Sequence, residues 1–431
     1  MQAGFSKVRI TPPLGTRMSG FGGRDQAHGC DGVEDDLYVR VLVLEDAGRR
    51  LAIAGYDLLF FQRAFADRLT AAVVRAAGVE PHAVLLNASH THSGPCVDAW
   101  GYNGFVPPEE AYRNSVEAAT FRAATEAVEG LHPARLKAGA GVSSLPVSRR
   151  KPDGRGGVEW RPYPGGEACG SMPVLWLETE CGRPVCLVYS VACHPSTLGG
   201  WRISADYPGV ASALLEAQFG APALFLQGAG GDSKACVITN GHDGVAASWR
   251  SGTSADVAAA GRLVADEVAA VVQAGLTDCT PDLAARMEEV RLPLQMPLPG
   301  RAELEALRAD ETGAGLKRQW AGRQLALLAE GDQREPAAAV RVQVLRIADT
   351  VRMVAVEGEL VAELGNQILA RLGAGVHFAL GYSNGTGLYL PSSRMIPENG
   401  YEVESYFEYG YPAPLAPGYE TVLGEAIHKE S

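Results

Sequence analysis

The feature that most constrains this chain is a pattern that occurs three times along it: two apolar strands, an amphipathic helix, then a third apolar strand that runs into a polar loop. The first copy reads as strands at 38–46 and 50–57, a helix at 63–77 and a strand at 83–88. The second places these at 173–180, 183–192, 209–219 and 223–227, and the third at 340–348, 351–356, 360–371 and 376–381. The strands are nearly continuous in Val, Ile and Leu, as strands buried in a sheet are, and the helices carry apolar residues at three- and four-residue spacing. Strands alternating with helices place the chain in the α/β class, with mixed β-sheets flanked by helices and built from repeated hairpin-helix-strand units.

The pattern also sorts the polar residues. The second strand of each unit ends at Asp57, at His194 and at Glu359, and the third ends near His90, near Asp232 and near Asn384. Open α/β sheets gather their sites at the carboxyl ends of strands, so a metal or active site is expected there.

Between the units lie a long helix at 109–130, a Gly/Pro/Arg-rich loop at 149–170 and a polar Gly/Ser stretch at 241–254. A charged Leu/Ala-rich segment at 301–335 reads as an exposed helical hairpin broken near Gly313-Ala-Gly315. The segment 391–419, dense in Tyr, Pro and Gly, reads as irregular structure packed over something else. No composition shift marks a domain boundary, so residues 1–431 are expected to form a single domain, a length that buries a full core.

A formal net charge of −12 argues against nucleic acid or an anionic membrane surface as the main partner. No apolar run approaches the eighteen or more residues of a membrane span, and no signal peptide is visible, so no membrane anchor is expected. The eight cysteines contain no CxxC pair and read as reduced thiols, which together predict a cytoplasmic protein.

The chemistry concentrates in Asn87-Ala-Ser-His-Thr-His-Ser-Gly-Pro95. His90 and His92 follow the strand at i and i+2, and residues two apart on an extended chain point to one face. The competing reading is a pair of surface histidines in a loop. His194, in Ala192-Cys-His-Pro-Ser-Thr197, ends another apolar strand, where its ring nitrogens need partners. Glu359 brings a carboxylate to a third strand end. A catalytic zinc takes about three or four N/O ligands and an open position, and His90, His194 and Glu359 would supply a His₂Glu set. Asp57 and Asp206 are candidates to orient imidazoles or neighbouring loops, with a capped turn as the equal alternative. The remaining histidines, His28, His82, His132, His242, His377 and His428, read as solvated.

Other chemistries fit less well. Gly381-Tyr-Ser-Asn-Gly385 matches a nucleophile elbow, but Thr386-Gly-Leu-Tyr-Leu-Pro391 is no helix start, which argues against Ser383 as nucleophile. Gly228-Ala-Gly-Gly-Asp232 lacks the remaining residues of a phosphate loop and reads as a tight turn presenting Asp232. Cys193 lies within a buried strand and reads as an inert thiol.

With these motifs the chain resembles the neutral/alkaline (non-lysosomal) ceramidases, in their N-terminal zinc-dependent catalytic domain. The resemblance runs from Arg9-Ile-Thr-Pro-Pro-Leu-Gly15 and Met18-Ser-Gly-Phe-Gly22 through the histidine segment, Cys193-His-Pro-Ser-Thr197 and Ile203-Ser-Ala-Asp-Tyr-Pro-Gly209. It continues through Gln227-Gly-Ala-Gly-Gly-Asp232 and Glu357-Gly-Glu359 to the stretch from Asn384 to Tyr401. It implies Zn²⁺ held by His90, His194, Glu359 and Tyr389, with His92 facing the substrate, Tyr401 steadying an oxyanion and Arg149 contacting substrate. It further implies hydrolysis of a carbon–nitrogen bond by metal-activated water. Two departures stand out: no C-terminal immunoglobulin-like domain is expected, and Gly231-Asp-Ser-Lys-Ala-Cys236 lacks the family's Gly-Asp-x-x-Pro ending. They point to a small-molecule amide, such as an N-acyl amide, over a sphingolipid. An esterase, lactonase or cyclic-amide hydrolase on the same scaffold, a true ceramidase, and a non-catalytic metal-binding protein are the alternatives.

Overall fold

The computed structural model describes residues 1–22, 24–25, 27–99, 108–240, 248–311 and 315–428. His242, the first half of the 241–254 stretch and residues 313–314 of the expected break fall outside them. An initial strand β1 (Gln2–Arg9) precedes the first unit: β2 (Tyr38–Asp46), β3 (Arg49–Tyr56), α1 (Arg63–Ala77) and β4 (Val84–Ala88). Then come α2 (Glu110–Glu129), β5 (His132–Val142), β6 (Pro146–Pro152) and β7 (Val158–Tyr163). The second unit is β8 (Ser171–Thr179), β9 (Pro184–Val191), α3 (Asp206–Phe219) and β10 (Ala223–Gln227), followed by β11 (Ser233–Ala235), α4 (Ser254–Ala274), β12 (Thr277–Cys279) and β13 (Pro281–Pro293). The helices α5 (Arg301–Ala309) and α6 (Gly315–Ala329) lead into the third unit: β14 (Ala337–Ala348), β15 (Val351–Val356), β16 (Glu359–Leu360), α7 (Ala362–Leu372) and β17 (Val376–Leu380). A two-residue strand β18 (Tyr389–Leu390) and the helix α8 (Glu420–His428) complete the elements used below.

The three units share one pairing order. In each, the first two strands form an antiparallel hairpin, and the strand after the helix adds parallel to the second: β2–β3–β4, β8–β9–β10 and β14–β15–β17. The first two units join through β5 and β1 into one nine-stranded sheet, in the order β10-β9-β8-β5-β1-β2-β3-β4, with β12 paired to β5. The third unit forms a separate four-stranded sheet, β13-β14-β15-β17. The sheets are mixed and helices flank them, as the strand and helix alternation predicts.

A cluster of buried side chains lies between these sheets, with Leu42, Ile53, Leu85, Leu136, Leu177, Val188 and Leu226 from the large sheet meeting Leu345, Met353 and Phe378 from the small one. Burying an aliphatic side chain of this size contributes about 1.5–3 kcal/mol, so this seam is a major stabilising element. Where the seam ends, the third strands of the three units meet at Asn87. Its amide Nδ2 donates to the Gln227 carbonyl (3.3 Å), the Gly381 carbonyl (2.9 Å) and Ser383 Oγ (3.1 Å), and its Oδ1 accepts the Gln227 N–H (2.7 Å). One buried amide therefore ties the ends of β4, β10 and β17 together.

Several expectations need correction. The segment 149–170 is not a plain loop: β6 and β7 pair as an antiparallel hairpin, and β11 extends them to a three-stranded sheet. Its glycines mark the turn and flanks, while β7 exposes Glu159, Trp160 and Arg161 and so lacks an apolar run. His377 is buried, not solvated, with Nδ1 accepting the Arg352 N–H (3.3 Å) and Nε2 beside the Ala374 carbonyl (3.2 Å). The 301–335 segment does carry two helices. The Tyr-rich segment 391–419 packs against the third unit through Met395, Val403, Ala413 and Leu415.

Candidate metal centre

The site is assembled from strand ends. His90 lies two residues beyond β4 and His194 three beyond β9. Glu359 opens β16, which pairs parallel with β18 so that Glu359 and Tyr389 are register partners. That two-strand ladder sets the carboxylate and the phenol side by side, although they are thirty positions apart in sequence.

The two imidazoles are held the same way. His90 Nδ1 is 2.8 Å from the Leu59 carbonyl and His194 Nδ1 is 2.7 Å from the Gly230 carbonyl. A carbonyl only accepts, so Nδ1 carries the proton in each ring and Nε2 turns its lone pair inward. The Nε2 atoms lie 3.3 Å (His90) and 3.5 Å (His194) from Glu359 Oε2. Tyr389 Oη is 3.3 Å from His194 Nε2. All four side chains are buried.

This donor set fits a cation. Burial, joined by the charge of Arg149, pushes His194 down to about 3, so at neutral pH it offers a lone pair and no proton to the carboxylate. Burial alone would raise Glu359, and only positive charge on the side of His90 and His194 holds it well below the usual carboxylate range. An unprotonated nitrogen and a carboxylate oxygen facing each other at 3.5 Å in a dry interior are unfavourable unless a positive ion lies between them. Two histidine nitrogens, a carboxylate and a phenol are a donor set that zinc accepts. Burial pushes the Tyr389 phenol up, and Arg149, donating to its oxygen at 3.0 Å, works in the opposite direction.

His92 belongs to the same cluster. Its Nε2 is 3.3 Å from His90 Nε2, and potential ligand atoms of His90, His92 and His194 lie within 4.8 Å of one another. The expected route to this convergence was an extended chain, and that part is wrong. His90 adopts φ 68°, a left-handed backbone that swings its ring back toward His92. Such strain in a non-glycine residue persists only where the surroundings impose it. Here Gly20, at φ 107°, presses against the His92 backbone so closely that a Cβ would lie 2.7 Å from the His92 Cα. Burial, with His90 and His194 nearby, lowers His92 well below its usual value, so the ring is neutral. Its buried Nδ1 has no hydrogen-bond partner among the described residues.

Arg149 and Tyr401 also reach the pocket. Arg149 Nε pairs with Glu402 (2.7 Å), and its guanidinium stacks over Trp160 at 4.1 Å. Tyr401 packs its ring on Tyr389 (centroids 5.4 Å apart), and its hydroxyl donates to Glu408 at 2.8 Å. Burial raises the Glu408 carboxyl to about 7.

The aspartates serve the frame, not the imidazoles. Asp57 pairs with Arg40 (2.7 Å) and accepts the Tyr38 N–H. Asp206 accepts the N–H groups of Thr197 and Leu198, and so shapes the loop after His194. Asp232 accepts the Ala362 N–H at the start of α7. The Gly228–Asp232 turn explains itself through Gly230, where a Cβ would sit 2.6 Å from the Cys193 nitrogen, because its carbonyl must approach His194. Ser383 is buried and donates to the Gly381 carbonyl, and burial pushes the Cys193 thiol well up; neither is a poised nucleophile.

Sequence reasoning missed Tyr382 and Tyr409, which both donate to Glu359, the first at 3.3 Å. It also missed Glu402 and Glu408. The Tyr-rich composition of 391–419 was the available signal, and what that segment covers is this site.

The pocket over the cluster is a cavity of about 350 Å³ whose walls include Phe21, Leu59, Phe60 and Trp160. Its architecture has solved counterparts. The chain superposes on the crystal structure of neutral ceramidase from Pseudomonas aeruginosa with a TM-score of 0.74, at 20% identity, over 99% of this chain and 73% of that one. The fold is that of the neutral ceramidases. A second solved structure, a ceramidase complexed with C2, matches with a TM-score of 0.75 at 19% identity, over 99% of this chain and 74% of that one. No family model matches the sequence, and no curated protein does.

Proposed function

We propose that this protein is a zinc-dependent hydrolase that cleaves the carbon–nitrogen bond of an N-acyl or similar small amide. The observation that carries the reading is the pair of imidazoles anchored through Nδ1 on carbonyls, with both Nε2 atoms turned on the Glu359 carboxylate. His90, His194, Glu359 and Tyr389 hold the metal. Zinc in such a site polarises a carbonyl and lowers the pKa of water to roughly 7.

The chain's own residues do the rest. His92, neutral and with an unpartnered ring nitrogen, is a hydrogen-bond donor for the oxyanion that develops on the amide carbonyl. A preorganised donor of this kind contributes about 2.7–4 kcal/mol to the transition state. Arg149 keeps Tyr389 in place, and Glu402 in turn fixes Arg149. Tyr401, whose hydroxyl donates to Glu408 in the free pocket, would be the second donor on redirecting that proton to the oxyanion. Phe21, Leu59 and Phe60 shield the reacting atoms from water and accept the acyl group. The neutral ceramidase fold supports an amide as the substrate class, and the modest cavity favours a small one.

The test is a turnover screen of the zinc-loaded protein on N-acyl amides from short to sphingoid, beside esters and lactones. Short N-acyl amides are expected to be cleaved fastest. Faster turnover of lactones or esters, or of the sphingoid amide, would replace the substrate class and leave the metal centre standing.

A further inference from the structure

The metal pocket does not end at the metal ligands. A second cavity of about 460 Å³ adjoins it, and the two share Phe21, Ser196 and Lys234 in their walls. Lys234 lies on β11, immediately after the residue whose carbonyl accepts the His194 N–H, and it bridges backbone with His194 itself. Its charge is felt at the His92 ring, which it helps to hold neutral.

This lysine is unmatched. Among the described residues no carboxylate forms a salt bridge with it and no acceptor a hydrogen bond; its recorded neighbour is the Trp249 ring, 5.4 Å from Nζ. The other cation of the pocket, Arg149, is by contrast committed to Glu402 and Tyr389. Beside Lys234, the wall of the second cavity carries Thr197, whose buried hydroxyl lies by the Asp206 carboxylate, and the guanidinium groups of Arg24, which donates to the His92 and Gly200 carbonyls, and Arg250, which pairs with Asp256. A half-buried ammonium without a partner among the described residues, next to a reacting centre, leaves the cost of removing it from water uncompensated until an anion arrives.

We propose that Lys234 forms a subsite for a carboxylate carried by the substrate, so that the preferred substrates are acidic amides of the N-acyl amino acid type. This rests on the amide-hydrolase reading above and specifies its substrate. With Arg250 paired to Asp256 and Arg24 donating to carbonyls, the single ammonium of Lys234 suits a singly charged carboxylate; phosphate sites gather several backbone N–H groups or a helix N-terminus as well. The acyl chain lies along Phe21, Leu59 and Phe60, the scissile bond at the histidine cluster, and the carboxylate reaches toward the second cavity. The protein's net charge of −12 makes a local cation the means by which an anionic substrate is admitted.

The experiment compares N-octanoylglycine with N-octanoylpropylamine, which has similar size and no carboxylate, on the zinc-loaded protein. Calorimetric binding of N-octanoylglycine is measured in parallel. The acid is expected to be preferred in kcat/KM by about tenfold or more, equivalent to one lost charge contact of about 1.4 kcal/mol. Lys234→Met should collapse that ratio, chiefly through KM, and Lys234→Arg should restore part of it. Equal turnover of the two amides by the native protein, or an equal loss on both in Lys234→Met, would overturn the subsite and leave the amidase reading intact. Lys234-dependent binding of the acid without cleavage of either amide would keep the subsite and defeat the amidase reading. Neither binding nor cleavage would defeat both.

Discussion

At the scale of single residues, the centre works by fixing proton positions. Leu59 and Gly230 contribute only carbonyl oxygens, yet these decide that His90 and His194 present Nε2 to the centre. The carboxylate is fixed likewise: Tyr382 and Tyr409 donate to its two oxygens. Groups that orient a metal ligand typically change metal affinity or activity about 10–100-fold when removed. Tyr409→Phe is therefore expected to weaken zinc binding by at least about tenfold in a competitive chelator titration, with the fold retained. An unchanged affinity would show that the phenol does not orient Glu359. Asp35 offers a proton-linked test. Burial raises its carboxyl to about 6, with Ser204 and Ala205 donating to it. A carboxyl raised above its unfolded value of about 3.9 contributes stability that is fully present below that value and is lost as pH rises through about 6. Asp35→Asn, which mimics the protonated form, should therefore gain stability relative to the native protein between pH 4 and pH 7, measured by urea unfolding. A difference independent of pH would contradict the shift.

At the scale of elements, three copies of one pairing order bring their third strands to Asn87. Replacing that amide with Ala leaves the buried Gln227 N–H without its acceptor and removes three donated bonds. Unsatisfied buried groups cost about 1–3 kcal/mol each, so Asn87→Ala is expected to destabilise the protein by roughly 3 kcal/mol in denaturant unfolding. A loss below about 1 kcal/mol would mean that the hub carries little of the coupling between units. The elements were also where the sequence was most legible. The unit strands announce themselves because burial on both faces makes them continuous in Val, Ile and Leu, as in Val351–Val356. β7 and β13 were not visible for the opposite reason. Their exposed or half-exposed residues, such as Glu159, Arg161, Glu288 and Arg291, break any apolar run, and their strand state follows from partners distant in sequence.

At the scale of the whole molecule, the candidate ligands come from the ends of all three units and from the segment after the third. The strand-end rule located His90, His194 and Glu359, and resemblance supplied Tyr389. What composition and spacing could not show was the backbone: the left-handed turn at His90, the carbonyl anchors, and the Glu359–Tyr389 register. Because the proposed centre draws its ligands from all three units, a bound metal would stabilise the folded chain over the unfolded one. At a free concentration a thousand times the dissociation constant, such binding contributes about 4 kcal/mol, so chelation should lower the melting temperature by several degrees in a calorimetric scan. An unchanged melting temperature after verified metal removal would show that the units are coupled without it.

His90, His194, Glu359 and Tyr389 are proposed to hold one catalytic zinc. This assignment is tested most directly by metal analysis of the purified protein and of His194→Ala, with amide turnover measured on the same samples. About one zinc per chain is expected in the native protein, with loss of both zinc and turnover in the variant. Less than about half an equivalent of zinc in a native protein that still turns over amide, or full turnover in His194→Ala, would contradict it.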